Sequence, residues 1–454
     1  MSKIFNFISG SLITCVLISA CIPFGGIGSG GGSLPTPTPT STVSPSPTPI
    51  VGWNPTQSPP VVTGRANSVG FTSDQVGNLY LSYQGTGSLS VYRYGFNQVS
   101  PQWQLIAESL NMSLSSYTSS IVITPIGDIN LMYLYNTDIT TKPVIHYLTA
   151  LPDKNMFKNI LIPRVSQTYT YSGTATRTPA CPAPISHEIE ASDASMTTDN
   201  TNKQIIAFSD ETFYEKSEVS AESGTCTAPK YNGGSRLGVY FANDYTTYRQ
   251  LSDGSVAQVQ IVATPNGTSN NLPAFVAYQD GANAGGISVQ EIIYNSSSES
   301  YEFYYLGGKN FSNGSANYIS IAADKNAVPY VAYENSNQLL TVLKYEDTTN
   351  TWKPLNSQKI TNNITTWISL TIDPKTNFPL VAYQEESLIK VKRYDGESWN
   401  IVGSPLPSFT NNYAAYTNLI MRQNNIDSWQ PAIVYQATPA NVDSSALSIY
   451  YYYK

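Results

Sequence analysis

Hydrophobic positions along most of this chain fall in short runs that alternate with polar positions, which is the period of a β-strand and not of a helix. The stretch around Tyr383 shows four such runs, WISLTID, PLVAYQ, LIKVKRY and WNIVG. The runs are rich in β-branched and aromatic residues and are too short for buried helices. Asp, Asn, Gly and Pro fill the segments between them, as in DPKTN and DGES, which is typical of tight turns. The pattern predicts four short antiparallel strands.

This four-strand unit recurs along the chain, most clearly in three copies that lead to Trp103, Trp352 and Trp399. Four weaker copies bring the number to seven. The copies are 50 to 73 residues apart when aligned on one aromatic position, which is held by Tyr83, Tyr135, Phe208, Tyr278, Tyr333, Tyr383 and Tyr435. Seven such units predict an all-β fold, a seven-bladed β-propeller of four-stranded antiparallel blades, because blades stacked in a ring cover each other's faces. A pair of β-sandwiches is the alternative.

The seventh copy lacks a fourth strand, because the chain ends after LSIYYYYK. In the sixth copy the fourth strand begins WNIVG, and a segment that begins similarly, WNPTQSPP, starts at Trp53. We predict that this segment supplies the missing strand from the other end of the chain. Its prolines count against it, since proline cannot donate to a strand ladder.

The repeats resemble extracytoplasmic bacterial propeller repeats of the VAY…Y-x-G-x-x-W kind. The resemblance covers residues 53–454, closely in three copies and loosely in four. The paired glycines of kelch repeats, the WD pattern and the Asp-box of sialidases are all missing from the sequence. The resemblance therefore implies a fold and not a reaction, because one fold hosts many functions.

The N-terminal residues 1–20 are predicted to form a signal peptide, with one cation, Lys3, before an interrupted apolar run. The run ends in ISAC, residues 18–21, which resembles the lipobox of bacterial lipoproteins. That resemblance implies cleavage before Cys21 and its acylation, with chains such as palmitate, as a membrane anchor. Ile22 after the cysteine implies the outer membrane, at its surface or its periplasmic face. An ordinary cleaved signal with an accidental cysteine is the alternative.

Residues 21–52 are predicted to be a flexible linker. Gly and Ser come first, and alternating Pro and Thr or Ser follow, a composition that favours extended polyproline II structure. The linker would hold the propeller domain, residues 53–454, away from the membrane.

The composition narrows the range of partners. The formal net charge is −7, with 24 Lys and Arg against 31 Asp and Glu, and 33 residues are Tyr. Because nucleic-acid binding needs clustered Lys and Arg, we expect no nucleic-acid partner. No sequence motif suggests a cofactor.

Two long insertions carry the remaining cysteines of the mature chain. One spans about residues 165–192 and contains Cys181, and the other spans about residues 210–236 and contains Cys226. In a four-stranded blade both would emerge on the same face of the propeller. An exported protein favours oxidation, so we predict a Cys181–Cys226 disulfide. Two free or unrelated thiols are the alternative. Long loops on a rigid scaffold often carry function, which makes this face the candidate ligand face.

The ends of the second strands should reach the same face. The polar side chains there form a candidate rim for a ligand: Gln84, Asp210, Gln279, Asp280, Glu334, Gln384, Glu385 and Gln436. The rim could bind a cation, a sugar or a basic peptide. The alternative is that these side chains end strands, bond to neighbouring blades or face water.

Catalysis has little support in the sequence. We find no Gly-x-Ser-x-Gly, His-Glu-x-x-His, phosphate-loop or EF-hand pattern, and we predict no catalytic residue and no metal site. Asp199, Asp324 and Asp373 recur between first and second strands, where Asx turns are the expected role.

The sequence thus favours a lipid-anchored envelope protein that binds a glycan or a protein partner, and it favours a binding role over catalysis. Two other hypotheses remain open. One is a periplasmic scaffold for envelope assembly, and the other is a lipid-anchored glycoside hydrolase.

Overall fold

The structure is a computed structural model that describes most of the chain from Val51 to Tyr453. The described residues are 51–56, 69–84, 87–96, 101–112, 119–135, 144–151, 156–160, 165–167, 170–173, 181, 185–187, 190–199, 201–211, 218–221, 224–227, 235–242, 246–248, 250–264, 274–312, 314–407, 415–425, 428–437 and 446–453. The predicted signal peptide, Cys21 and most of the predicted linker lie outside these residues. Within them, no helix is long and apolar enough to cross a membrane.

The described residues form 34 strands and two single-turn 3₁₀-helices, Gly281–Asn283 and Asp347–Thr349. In chain order the strands are β1 Gly52–Pro55, β2 Val69–Ser73, β3 Leu79–Gln84, β4 Gly87–Tyr94, β5 Trp103–Met112, β6 Ser119–Ile123, β7 Ile129–Tyr135, β8 Val144–Leu151, β9 Met156–Ile160, β10 Val165–Gln167, β11 Thr170–Gly173, β12 Ile185–His187, β13 Ala191–Thr198, β14 Gln204–Asp210, β15 Glu218–Ala221, β16 Gly224–Thr227, β17 Arg236–Phe241, β18 Thr246–Tyr248, β19 Val256–Ala263, β20 Ala274–Asp280, β21 Gly286–Asn295, β22 Ser300–Tyr305, β23 Asn317–Ala323, β24 Pro329–Glu334, β25 Leu340–Glu346, β26 Thr351–Pro354, β27 Thr365–Ile372, β28 Pro379–Glu385, β29 Leu388–Tyr394, β30 Trp399–Ile401, β31 Leu406–Pro407, β32 Ala415–Asn425, β33 Ser428–Ala437 and β34 Ala446–Tyr453.

Seven antiparallel sheets form a ring, which confirms the predicted seven-bladed β-propeller. Blades 1 to 7 are β2-β3-β4-β5, β6-β7-β8-β9, β13-β14-β17-β18, β19-β20-β21-β22, β23-β24-β25-β26, β27-β28-β29-β30 and β32-β33-β34-β1. The first strand of each blade lies innermost and contacts the first strands of both neighbouring blades. The ring therefore surrounds a central channel.

The ring closes as predicted. Strand β1 pairs with β34, from Gly52 opposite Tyr453 to Pro55 opposite Tyr450, and so completes blade 7. The indole of Trp53 donates a hydrogen bond to the carbonyl of Val402 in blade 6, at 2.8 Å. Trp352 makes the same contact from blade 5 to Leu306, just past the last strand of blade 4, also at 2.8 Å. The tryptophan that recurs in fourth strands thus fastens a blade to the one before it.

The aligned aromatic position is buried between blades wherever its side chain is described. Phe208, Tyr278, Tyr383 and Tyr435 are almost completely buried there. In blade 2 the sequence alignment was wrong. Ser120 pairs with Met132 as Ser369 pairs with Ala382, so the equivalent of Tyr383 is Tyr133 and not Tyr135. A slip of two residues keeps a side chain on the same face of a strand, so alternation alone could not reveal it.

Serine side chains link the inner strands around the channel. The hydroxyl of Ser320 in blade 5 accepts a hydrogen bond from the backbone N–H of Leu370 in blade 6, at 3.0 Å. The same bond joins Ser369 to Leu419, Ser195 to Ile261 and Ser120 to Met196. Inner strands have no further strand on their channel side, so these hydroxyls satisfy N–H groups that would otherwise lack a partner.

The recurring aspartates make the predicted Asx turns. A carboxylate oxygen of Asp199 accepts the N–H groups of Thr201 and Lys203, both at 2.8 Å. Asp324 and Asp373 accept N–H groups of their own turns in the same way.

Candidate functional site

The two long insertions leave the propeller on one face, where first strands begin and second strands end. We call this the insertion face. Cys181 and Cys226 form the predicted disulfide, with Cα atoms 5.6 Å apart. The insertions are not simple loops, because β11 from the first pairs with β16 from the second in a three-stranded sheet with β15. The disulfide and this sheet join two segments that are distant in sequence into one appendage beside blade 3.

The central channel contains a cavity of about 1040 Å³, lined mainly by first-strand residues from all seven blades. At the insertion face, in blades 3 to 6, the first strand carries a β-bulge, where two of its residues face one residue of the second strand. Bulges commonly redirect a side chain next to a functional site. Here the bulged residues are Asp193, Gln258, Tyr318 and Trp367, one from each blade, and all four line the cavity.

Three bulged residues have left-handed backbone conformations that residues other than glycine rarely adopt. The φ angles are 51° at Gln258, 52° at Tyr318 and 52° at Trp367. Such a conformation costs on the order of 1–3 kcal/mol, and it concentrates at binding sites. The next residue in each blade, Val259, Ile319 or Ile368, is buried between blades. The bulge thus holds an apolar anchor in the core while the residue before it lines the cavity.

An aromatic pair and a polar network lie together here. The half-buried rings of Tyr318 and Trp367 have centroids 5.2 Å apart and are tilted by 54°. The Gln258 amide approaches that of Asn317, at 3.5 Å, and the Asn317 amide donates to the Glu334 carboxylate, at 3.0 Å. Burial raises the pKa of Glu334, and burial together with nearby Glu334 raises that of Tyr318. We call Asp193, Gln258, Asn317, Tyr318, Glu334 and Trp367 the channel mouth.

Asp193 is the blade 3 member of the channel mouth. Its carboxylate accepts the N–H of Val259 in blade 4, at 2.6 Å. Burial raises the pKa of Asp193 to about 7, although hydrogen bonds from the N–H groups of Val259 and Ala194 favour the charged form. A carboxyl group with this pKa exchanges its proton near neutral pH.

Most residues of the predicted rim end second strands, as expected, and are tied to the scaffold. Asp280 accepts from Ser288 and from the N–H of Ala282, and Gln279 donates to the carbonyl of Ala316 in blade 5. Gln384 contacts Thr366, and Asp210 and Gln436 are buried. The side chain of Gln84 lies outside the described part of the structure.

The two rim glutamates, Glu385 and Glu334, differ in their partners. Glu385 forms an ion pair with Lys390, at 2.7 Å, and accepts the N–H groups of Asn362 and Asn363. Although burial acts to raise the pKa of Glu385, these partners lower it overall. Among the rim residues whose side chains are described, Glu334 alone also lines the cavity. Glu334 is therefore the residue that the predicted rim shares with the channel mouth.

Sequence reasoning missed the other five residues of the channel mouth. The available signal was a first strand one residue longer than its partner strand, with a polar or aromatic residue directly before a buried one, as in Gln258-Val259, Tyr318-Ile319 and Trp367-Ile368. For metal ions, no group of three His, Cys, Asp or Glu side chains within the described ranges is arranged to hold one.

Comparisons with known proteins found similar solved structures at low sequence identity only. No family model and no curated protein matches this sequence. Similar solved structures include an α-L-arabinanase of Penicillium chrysogenum complexed with arabinobiose (9% identity over 89% of this chain and 98% of that chain, TM-score 0.47). Another is an ulvan lyase from a new family of polysaccharide lyases (10% identity over 86% of this chain and 94% of that chain, TM-score 0.47). A third is Raptor of Chaetomium thermophilum (11% identity over 89% of this chain and 29% of that chain, TM-score 0.47). At these identities the likeness concerns the fold alone, so function has to be argued from the site.

Proposed function

We propose that this protein is a non-catalytic saccharide-binding propeller and that the channel mouth is its binding site. The observation that carries the proposal is the Tyr318–Trp367 pair, held by left-handed backbone beside the Gln258–Asn317–Glu334 network at the opening of the cavity. The strained backbone at Tyr318 and Trp367 would then hold these two residues in place for the ligand.

The chemistry of the channel mouth suits a sugar. A sugar ring has faces of C–H groups, which pack on aromatic rings, and an edge of hydroxyls, which exchange hydrogen bonds with amides and carboxylates. Tyr318 and Trp367 offer the first kind of surface, and Gln258, Asn317 and Glu334 offer the second. Because bulges fix the rings before a ligand arrives, less side-chain entropy is lost on binding.

The location of the protein is part of the proposal. A lipid anchor at Cys21 would attach the propeller to the outer membrane, and the linker of residues 21–52 would let it reach a glycan at the cell surface. A periplasmic scaffold that binds an envelope protein is the alternative. Mass measurement of the membrane-extracted protein tests the acylation, and protease treatment of intact cells separates the two locations, because a periplasmic propeller would be protected.

The decisive experiment replaces Trp367 with alanine. Residues 50–454 would be titrated with a panel of oligosaccharides by isothermal calorimetry. We expect Trp367→Ala to weaken binding by about tenfold or more, since a buried aromatic anchor commonly contributes on this scale. Tyr304→Ala is the matched control, because Tyr304 is an exposed tyrosine on the outer strand β22 and its loss should leave affinity unchanged.

Two results would contradict the proposal. If no saccharide bound to residues 50–454, the assignment of function would fail. If saccharides bound equally well to the Trp367→Ala protein, with an unchanged melting temperature, the site would lie elsewhere on the propeller.

Glycoside hydrolysis is the second candidate, and the pKa of Asp193, which burial raises to about 7, favours it. A carboxylic acid that keeps its proton near neutral pH can act as the general acid of a glycosidase. The same calorimetric samples can be analysed for new reducing ends. Their appearance in wild-type samples, and their absence with Asp193→Asn, would favour hydrolysis over simple binding.

A further inference from the structure

We infer that the channel mouth selects saccharides that carry free, protonated amino groups over their N-acetylated, neutral or acidic counterparts. The inference rests on the proposed function and adds the class of sugar. It follows from an imbalance of charge in the described lining of the cavity.

The charged residues among the described lining of the cavity are all acidic. They are Asp193 and Glu334, and the lining includes no Lys, Arg or His from the described ranges. A uronic acid or a sulfated sugar would meet like charge in a partly desolvated place, which is unfavourable. A neutral sugar would leave both carboxylates without a cation. An ammonium group would supply the missing charge.

Among the described residues, no cation pairs with Glu334. The residue opposite Glu334 on the third strand of blade 5 is the apolar Leu340, which brings no charge. The described partner of Glu334 is instead the neutral amide of Asn317. Glu334 is 5% exposed, and a carboxylate this buried gains more from a cation than an exposed one does.

The remaining parts of the channel mouth fit the same ligand. The faces of Tyr318 and Trp367 attract a cation through their π electrons. The rings and the carboxylates therefore both favour a cationic group. Asp193, across the channel mouth in blade 3, accepts two backbone N–H groups, and it would lose its proton more readily beside an ammonium group. N-acetylation would remove the positive charge and add an acetyl group without changing the sugar ring.

The test compares matched oligosaccharides. Residues 50–454 would be titrated at about pH 5.5, about two units below the pKa of an α-amino group, so that most of the amines are charged. The ligands would be a glucosamine oligomer and the N-acetylated oligomer of the same length. We expect the free amine to bind about tenfold more tightly, and this preference to shrink with added salt. Glu334→Gln should reduce the preference severalfold. Asp253→Asn should not, because Asp253 is an exposed carboxylate on the same face that is paired with Lys309.

Each outcome decides a different point. Equal affinity for the two oligomers, both lost in Trp367→Ala, would overturn this inference and leave the proposed function standing. Tighter binding of the N-acetylated oligomer or of an oligogalacturonate would also overturn it. Binding of an oligolysine peptide without binding of any saccharide would overturn both and make the partner a basic protein segment. Glu334→Ala, with its melting temperature recorded, provides a second variant if Glu334→Gln folds poorly.

Discussion

Blades 3 and 6 occupy equivalent places in the ring but differ at the insertion face. In both, four antiparallel strands begin from an inner strand, and an aspartate organises the first turn, Asp199 in one and Asp373 in the other. In blade 6 the second and third strands are joined by two residues, whereas in blade 3 residues 211–235 intervene, among them strands β15 and β16 of the disulfide-linked appendage. A first-strand bulge carries Trp367 opposite Tyr383 in blade 6 and Asp193 opposite Ser209 in blade 3.

The comparison of blades 3 and 6 separates the features that stabilise the ring from the features that vary between blades. Buried aromatics, serine links and Asx turns recur in blades with unlike loops, so they belong to the scaffold. The bulged residue and the loop between the second and third strands change from blade to blade, which is where a binding site can be built without disturbing the ring. Substitutions in the scaffold and substitutions at the insertion face should therefore have separable effects on stability and binding.

Removing the disulfide should have the largest effect, and the effect should remain in the appendage. The bond closes a separation of 45 residues, for which the chain-entropy model gives about 4 kcal/mol. We expect Cys181→Ser combined with Cys226→Ser to increase proteolysis and hydrogen exchange in residues 165–235. Strands β27 to β29 of blade 6 should exchange as before. A comparable loss of protection in blade 6 would show that the appendage stabilises the whole ring.

The scaffold could be predicted from the sequence because its signals are repeated. Seven copies of one alternating pattern gave the number of blades, and the missing strand of the last copy pointed to Trp53. Repetition also allowed local turn chemistry to be recognised at Asp199, Asp324 and Asp373. Each signal was local to a few residues, and the copies supported each other.

The channel mouth could not be predicted in the same way, because it arises from differences between copies. Asp193, Gln258, Tyr318 and Trp367 all come from first-strand bulges, but they are an acid, an amide and two aromatics, so an alignment by residue type does not group them. A bulge adds one residue to one strand, which depends on its pairing with the next strand. Glu334 was found only because it also ends a second strand. The pairing of β11 with β16 was missed because it joins two insertions that are distant in sequence.

The Asp193→Asn variant should have an intermediate effect that depends on pH. Folding raises the pKa of Asp193 from 3.8 to about 7, so its contribution to stability is present below about pH 4 and is lost as the pH rises through 7. The full difference corresponds to about 4 kcal/mol, and we expect about half, because the side chain borders an open channel. The variant should thus match the wild type near pH 4 and exceed its free energy of unfolding by about 2 kcal/mol at pH 8.

Chemical denaturation between pH 4 and pH 8 measures this difference. Trp367→Phe in blade 6 is the control, because that position does not titrate and should give a shift that is independent of pH. A stability difference for Asp193→Asn that stayed constant across the range would mean that Asp193 ionises as an exposed carboxylate does.

The smallest effect should come from the buried aromatic position that blades 3 and 6 share. Blade 3 has Phe208 where blade 6 has Tyr383, and the buried hydroxyl of Tyr383 has no hydrogen-bond partner among the described residues. Since an unpaired buried hydroxyl is costly, Tyr383→Phe should leave the free energy of unfolding unchanged or raise it by up to about 1 kcal/mol. In blade 4 the hydroxyl of Tyr278 accepts from Gln290 at 3.0 Å and donates to Tyr305, so Tyr278→Phe should lower that free energy by about 1 kcal/mol. Urea denaturation of the two variants measures both changes. A loss for Tyr383→Phe as large as that for Tyr278→Phe would show that the Tyr383 hydroxyl is hydrogen-bonded in solution, and that the core of blade 6 is not simply that of blade 3 with one oxygen added.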